Sequence, residues 1–222
     1  MEYLPSYITL VFLLSLCLAI FFYFKAAHDS LLFLVVSGLY LSIQSLAAYF
    51  KVYRNTYAMP PRFVYLILPP LILIIILFRS VKGRRYMDHL FPGVLTLLSV
   101  VRIPVEFVLY WLSHHKVVPQ LMTFHGRNFD IISGITAPFI FYFGYVKKVL
   151  GKNVLLIWNI VCLGLLLNVA INAALSVPVA MMYFPYVLLP GYIVPMILFS
   201  HLVLIRQLLL KTESSRSAYH YA

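Results

Sequence analysis

The chain has 222 residues, 63% hydrophobic and 10% charged, with a mean hydropathy of +0.96 and a formal net charge of +11. A water-soluble domain of this length has no interior large enough to hide so much apolar side chain, so a soluble globular fold is excluded. The two cysteines, Cys17 and Cys162, both lie in apolar runs, which leaves neither a disulfide framework nor a cysteine-based zinc site.

A helix needs about 20 apolar residues to cross the hydrocarbon layer. Runs that approach this length cover residues 4–24, 31–50, 63–78, 90–113, 131–146, 154–176 and 184–205, the third and fifth being short. Ten-residue stretches of alternating hydrophobicity are absent, which argues against an outer-membrane barrel. The expected fold is an all-α membrane protein with seven transmembrane helices. It forms one domain over residues 1–210, followed by a polar cytoplasmic tail, 211–222. The first run has no basic leader and no small-residue cleavage site, so it reads as a retained helix.

The basic residues are placed unevenly. With the N-terminus outside, the inner side holds Lys25, Arg79, Lys82, Arg84, Arg85, Lys147, Lys148, Lys152, Arg206, Lys211 and Arg216, and the outer side holds Lys51, Arg54, Arg62, Lys116 and Arg127. Short cytoplasmic loops accumulate Lys and Arg, so the predicted orientation in a bacterial cytoplasmic membrane is N-terminus outside and C-terminus inside. The positive charge is thereby a topology signal and an attraction to anionic lipid, and it does not point to nucleic acid.

In chain order, the polar residues inside the apolar runs are few. The second run presents Ser37, Tyr40 and Gln44 on one helical face. The fourth presents Ser99, Arg102, Glu106 and Tyr110, with Pro104 between the two charges freeing the carbonyl of Val100 and favouring a kink. Ionised groups at mid-membrane depth are costly, so Arg102 and Glu106 must face the bundle interior, either as a seat for a solute or proton or as a structural ion pair. Before the fifth run lie His125, Arg127, Asn128 and Asp130. Asn128 or Asp130 can cap the following helix, or His125, Arg127 and Asp130 can form a binding rim toward Glu106. The sixth run carries Asn168, Asn172 and Ser176, candidates for helix-packing hydrogen bonds or for a polar lining, and Asn159 and Trp158 read as interfacial anchors. His201 is the one histidine well inside a run and has no evident partner, which argues against haem. Asp88-His89 and His114-His115 fall at opposite faces and cannot share a metal, and no lysine inside the last run is available for retinal. No cofactor and no metal are expected.

Residues 63–78 align without gaps to 184–199 with identities at eight of sixteen positions, Tyr65/Tyr186 and Pro69/Pro190 among them. Both runs would cross from outside to inside and close a three-helix unit, so the match reads either as a parallel repeat of three helices, a linker and three helices, or as a chance likeness of two aliphatic helices. In helix count and orientation this plan resembles the sugar transporters with two three-helix repeats, although the one Pro-Gln dipeptide, Pro119-Gln120, lies in a loop. The stretch from Arg102 to Glu106, the run Met-Thr-Phe-His-Gly-Arg-Asn-Phe-Asp ending at Asp130, and the ending from Leu189 to His201 are similar to a group of uncharacterised bacterial multi-pass membrane proteins. That resemblance implies membrane placement and no particular activity.

The leading expectation is a small-solute transporter with Arg102 and Glu106 as its polar midplane site and Gln44, Asn168 and Asn172 as further contacts. The alternative is a non-transporting accessory or sensor protein with a structural polar core. A lipid-acting enzyme using His125, Asp130 and Glu106 as acid–base groups comes third. The expected partners are membrane lipid and a small polar or anionic solute, and the sequence carries no signal for oligomeric state.

Overall fold

A computed structural model describes residues 4–54, 64–176 and 182–220, with side chains through residue 210 except those of Arg54 and Ser176. Every regular element among them is helical: α1 (Ser6–Ala26), α2 (Leu31–Tyr49), α3 (Val64–Arg79), α4 (Val81–His89), α5 (Pro92–Leu97), α6 (Arg102–His114), α7 (Ile131–Phe141), α8 (Lys152–Ser176) and α9 (Val194–His220). Arg62, and Phe63 at the start of the internal alignment, lie outside the described residues. The polar side chains of 211–222 do so too, although the backbone of α9 continues helically to His220.

Local chemistry sets the starts and breaks. Ser30 caps α2 by accepting the Phe33 N–H at 3.3 Å, and Ser80 caps α4 by accepting the Gly83 N–H at 2.9 Å. Pro92 occupies the first turn of α5, where its missing N–H has no cost. Pro104 cannot bond back to Val100, and the chain tightens there into a 3₁₀ turn, Leu98–Val101, that joins α5 to α6. Together they make one rod, Pro92–His114.

Among the described residues, five helices are long and apolar enough to cross a membrane: α1, α2, the α5–α6 rod, α8 and the segment Leu189–Leu210. A sixth arises if α3 and α4, bent by 94° at Ser80, count as one broken span. Ile131–Val146 is apolar but shorter. The α5–α6 rod and α9 form the centre: Leu95, Leu98, Leu112, Val203 and Leu204 are fully buried. α1 packs along the rod through Ile8, Phe12 and Ala19, and α8 packs along α9. The outer surface is a belt of exposed aliphatic side chains, including Leu14, Leu39, Ile43, Ile75, Ile157 and Ile160, as expected of a face against lipid.

The two prolines matched by the internal alignment have different surroundings. Pro69 lies within regular α-helix, whereas Pro190 lies in a π turn, Leu189–Ile193, that leads into α9. Their neighbours diverge too: Tyr65 is 51% exposed, while Tyr186 is 2% exposed and shares a hydrogen bond of 3.1 Å with Thr9. The shared letters reflect two apolar helices more than two equivalent places.

At the end where α4 lies, α9 is clamped by paired bonds from Arg206 to Asp88, both 3.1 Å, and by Gln207 donating to the carbonyls of Met87 and Leu90 at 2.7 and 2.9 Å. The bend that brings α4 across depends on Gly83, where an added Cβ would sit 2.3 Å from the Leu77 carbonyl oxygen. Gly83→Ala is therefore expected to lower stability by about 1–3 kcal/mol. Gly38→Ala, in the middle of α2 with nothing within 4 Å, should instead be neutral or stabilising by up to about 1 kcal/mol. Thermal melting of both variants in detergent checks the contrast, and equal behaviour would refute the steric account of the bend.

Candidate functional site

Arg102 begins α6 near the middle of the α5–α6 rod and is 1% exposed. A guanidinium carries donors only, so its partners must all accept. Nη1 donates to Asp130 Oδ1 at 2.5 Å and to the Cys162 carbonyl at 3.3 Å, and Nη2 donates to His201 Nε2 at 2.9 Å. Since Nε2 accepts, the His201 ring is neutral with its proton on Nδ1. That proton goes to Asn159 Oδ1 at 2.9 Å, and Asn159 Nδ2 donates onward to the Leu155 carbonyl at 2.8 Å. Four elements, α6, the head of α7, α8 and α9, meet on one cation.

Glu106 stands one turn further along α6 and is 2% exposed. Its Oε1 accepts from Asn128 Nδ2 at 2.5 Å. Asn128, with no exposed surface, also donates to the Met122 carbonyl at 3.0 Å and accepts the Asp130 N–H at 2.9 Å. Asn128 thus ties the loop to the Glu106 carboxylate and to the backbone of Asp130.

The geometry depends on where α7 begins. The 11 residues of α7 and the five-residue π turn that continues it to Val146 rise only about 24 Å, short of the roughly 30 Å hydrocarbon layer. At one end of this helix Gly93 meets Phe141 and Tyr145; near the other, a Cβ on Gly134 would lie 2.7 Å from Ile103 Cγ1 and 3.2 Å from the Ser99 carbonyl. Gly134 is therefore level with the middle of the α5–α6 rod. The chain leading into α7, residues 115–130, is irregular apart from a 3₁₀ turn at Gln120–Met122, with Val118, Met122, Thr123 and Asn128 buried. Non-helical backbone at such depth is tolerated where protein surrounds it or where it lines a cavity.

Buried polar atoms around this half-helix without a hydrogen-bond partner include Ser99 Oγ, Arg102 Nε and Glu106 Oε2. The charges do not balance either. Arg102 is neutralised by Asp130, and among the described residues Glu106 has no cation within salt-bridge distance. Two cavities lie nearby. An apolar one of about 250 Å³ between α3, α8 and α9 reaches Leu109, Leu166 and Leu198, each within one turn of Glu106, Cys162 or His201. A polar one of about 670 Å³ lies on the far side of the loop, beside Thr123 and His125. Arg102, Glu106 and Asp130 line neither, so the cluster is closed.

Of the residues singled out from sequence, Arg102, Glu106 and Asp130 come together. The ion partner of Arg102 is Asp130 rather than Glu106, which corrects the expected i, i+4 pair. Asp130 sits at the N-cap position of α7 but its side chain caps nothing. The guanidinium outcompetes the helix end for the carboxylate. Gln44 is buried on α2 and bonded to the Tyr53 hydroxyl, away from the cluster. Asn168 donates to the Arg127 carbonyl at 2.8 Å and accepts from Asn172 at 3.3 Å, bracing the loop. His125 and Arg127 are exposed. His201 and Asn159 were the omissions: His201 has two side-chain partners, and Asn159 is fully buried instead of anchoring at an interface. Their signal in the sequence was a histidine in the middle of an apolar run and an amide one turn inside another.

Breaking a buried ion pair from one side costs about 3–5 kcal/mol. Arg102→Met and Asp130→Asn are each expected to lower the melting temperature and the monodisperse yield in detergent, and the double variant should recover most of the loss. Strictly additive effects in this cycle would show that the two groups are not coupled.

No protein-family model matches the chain, nor does any curated protein or any solved structure, so neither resemblance noted from the sequence gains support.

Proposed function

We propose that the chain is a small-solute permease of the membrane and that its seat is the closed polar cluster at the head of α7. The observation that carries this reading is the broken crossing: a half-helix that starts level with the middle of the α5–α6 rod, beside buried polar atoms without partners. A span interrupted at the bilayer midplane is the recurrent way in which transporters expose polar groups to a solute. In this reading the chain passes the membrane seven times, with α3–α4 as one bent pass and residues 115–146 as another, and its N-terminus lies outside.

The charge balance narrows the solute. Glu106 Oε2 is the acceptor left over, so the group it meets is a cationic centre, a hydrogen-bond donor or a coupling proton. Arg102 and Asp130 hold the frame, and His201 with Asn159 fixes the guanidinium from the opposite side. Asn128 would release Glu106 as the loop moves. A second reading, a non-transporting protein with a structural polar core, is favoured by one observation, the closure of the cluster from both neighbouring cavities.

Glu106→Gln separates the two. It keeps an oxygen for Asn128 and removes the charge, so the fold should survive. Under the permease reading, uptake of small cationic and zwitterionic solutes into proteoliposomes, read with a pH-sensitive dye inside, should fall about tenfold or more. That corresponds to losing one charge-assisted hydrogen bond of about 1.5–3 kcal/mol. Uptake by Glu106→Gln at the wild-type rate would sink the assignment of Glu106, and a wild-type protein that moves neither solute nor protons would leave the structural reading.

A further inference from the structure

The polar cleft at the His114 end plays no part in the buried cluster, yet its lining is chemically one-sided. It lies between the last turn of α6 and the irregular loop, and its side chains include Tyr110, Ser113, His114, Lys116, Gln120 and His125. The ionisable nitrogen groups among them are all basic. The carboxylates of the described residues are elsewhere. Asp29 and Asp88 are at the opposite end, held by Lys25 at 2.8 Å and Arg206 at 3.1 Å, and Glu106 and Asp130 are buried beneath the loop. A concave site lined by one sign of charge concentrates the opposite sign.

Two further features fit a particular anion. The His125 ring packs against both Tyr110 and Phe124, with centroids 5.2 and 4.9 Å away, and those two rings meet each other at 5.2 Å, so the imidazole is oriented before anything binds. Beside the cleft, Tyr7 meets Trp111 edge-on at 5.0 Å. Amphipathic aromatic rings in this arrangement mark the membrane–water interface, the level of lipid headgroups. An ammonium, two imidazoles and the hydroxyls of Tyr110 and Ser113 offer donors from several directions, which suits an anion with several acceptor oxygens.

We propose that this cleft binds a phosphate group, carried by a lipid headgroup or as free phosphate. Lys116 supplies the permanent charge, and His114 and His125 supply ring N–H donors.

The test uses the full chain purified in detergent, titrated separately with dihexanoylphosphatidylglycerol, inorganic phosphate and uncharged dihexanoylglycerol, with thermal stabilisation as the readout. Saturable stabilisation by the phosphatidylglycerol is expected, with affinity reduced about tenfold or more in the Lys116→Gln/His125→Gln variant. Response to the phospholipid alone assigns the site to a headgroup, and an equal response to inorganic phosphate assigns it to the free anion. If the double variant is recovered misfolded, Lys116→Ala at an exposed position carries the same expectation. Equal stabilisation by dihexanoylglycerol, or binding indifferent to these substitutions, would overturn the proposal.

Discussion

A guanidinium buried in the middle of an apolar helix must be neutralised, and most of the architecture around the centre follows from how Arg102 achieves this. A carboxylate on its own helix, Glu106, comes after the cation, which is the weaker order along a helix, and it lies beyond salt-bridge distance. The acid that reaches Arg102 is Asp130, on a separate segment. For Asp130 to reach Arg102 the chain runs through residues 115–130 with only a short 3₁₀ turn at Gln120–Met122 and starts α7 after it. The shortness of α7 and the close fit of Gly134 against Ile103 follow from that one placement. The burial of Asn128 follows as well, because the descending loop needs its amide to satisfy the Met122 carbonyl and the Asp130 N–H.

The same cation explains why α8 and α9 join the centre. After Asp130 is engaged, Arg102 still has donors to place, and water is scarce inside an apolar bundle. The Cys162 carbonyl and His201 Nε2 take two of them. A neutral His201 then needs an acceptor for Nδ1–H, and Asn159 provides it while giving its own amide protons to its helix. Each bond fixes the orientation of the next group, so donation runs outward from Arg102, to Asp130 on one side and through His201 and Asn159 to the Leu155 carbonyl on the other. Such a chain specifies how α6, α8 and α9 face one another more sharply than the surrounding leucines and valines can, because apolar packing in lipid has little directional preference.

Much of this was legible in the residues, and the gaps have physical causes. Run length and composition suffice for helices that can cross a membrane, since the bilayer itself sets the required length. The stripe of Ser99, Arg102 and Glu106 reads correctly as inward-facing, because charge at that depth leaves no other choice. Asp130 was weighed as a helix cap or as part of a rim toward Glu106, yet its partner is a cation 28 residues earlier. Periodicity carries no information about contacts at that range. The start of α7 at Ile131 and its short length were legible from the apolar run 131–146, whereas its level beside the middle of the α5–α6 rod, set by contacts between distant segments, was not. Tyr65 and Tyr186 show the converse error, since identical letters in two aliphatic helices ended in opposite environments.

The permease reading proposed above rests on the residual imbalance at Glu106. A network built only for rigidity gains from having each buried polar atom satisfied, because a partly satisfied one costs more than an apolar substitute. Here the frame of Arg102, Asp130, His201 and Asn159 is tightly bonded, while Glu106 Oε2 and Arg102 Nε, one helical turn apart in the sequence, are left without partners. The loop that covers them is held to Glu106 through one amide, Asn128, and is braced on its outer side by Asn168. Within the loop, Asn128 is the residue that bonds Glu106, while Asn168 and the Arg102–Asp130 pair hold its flanks. Under the permease reading, release of that one amide is the step that would open the unpaired carboxylate oxygen.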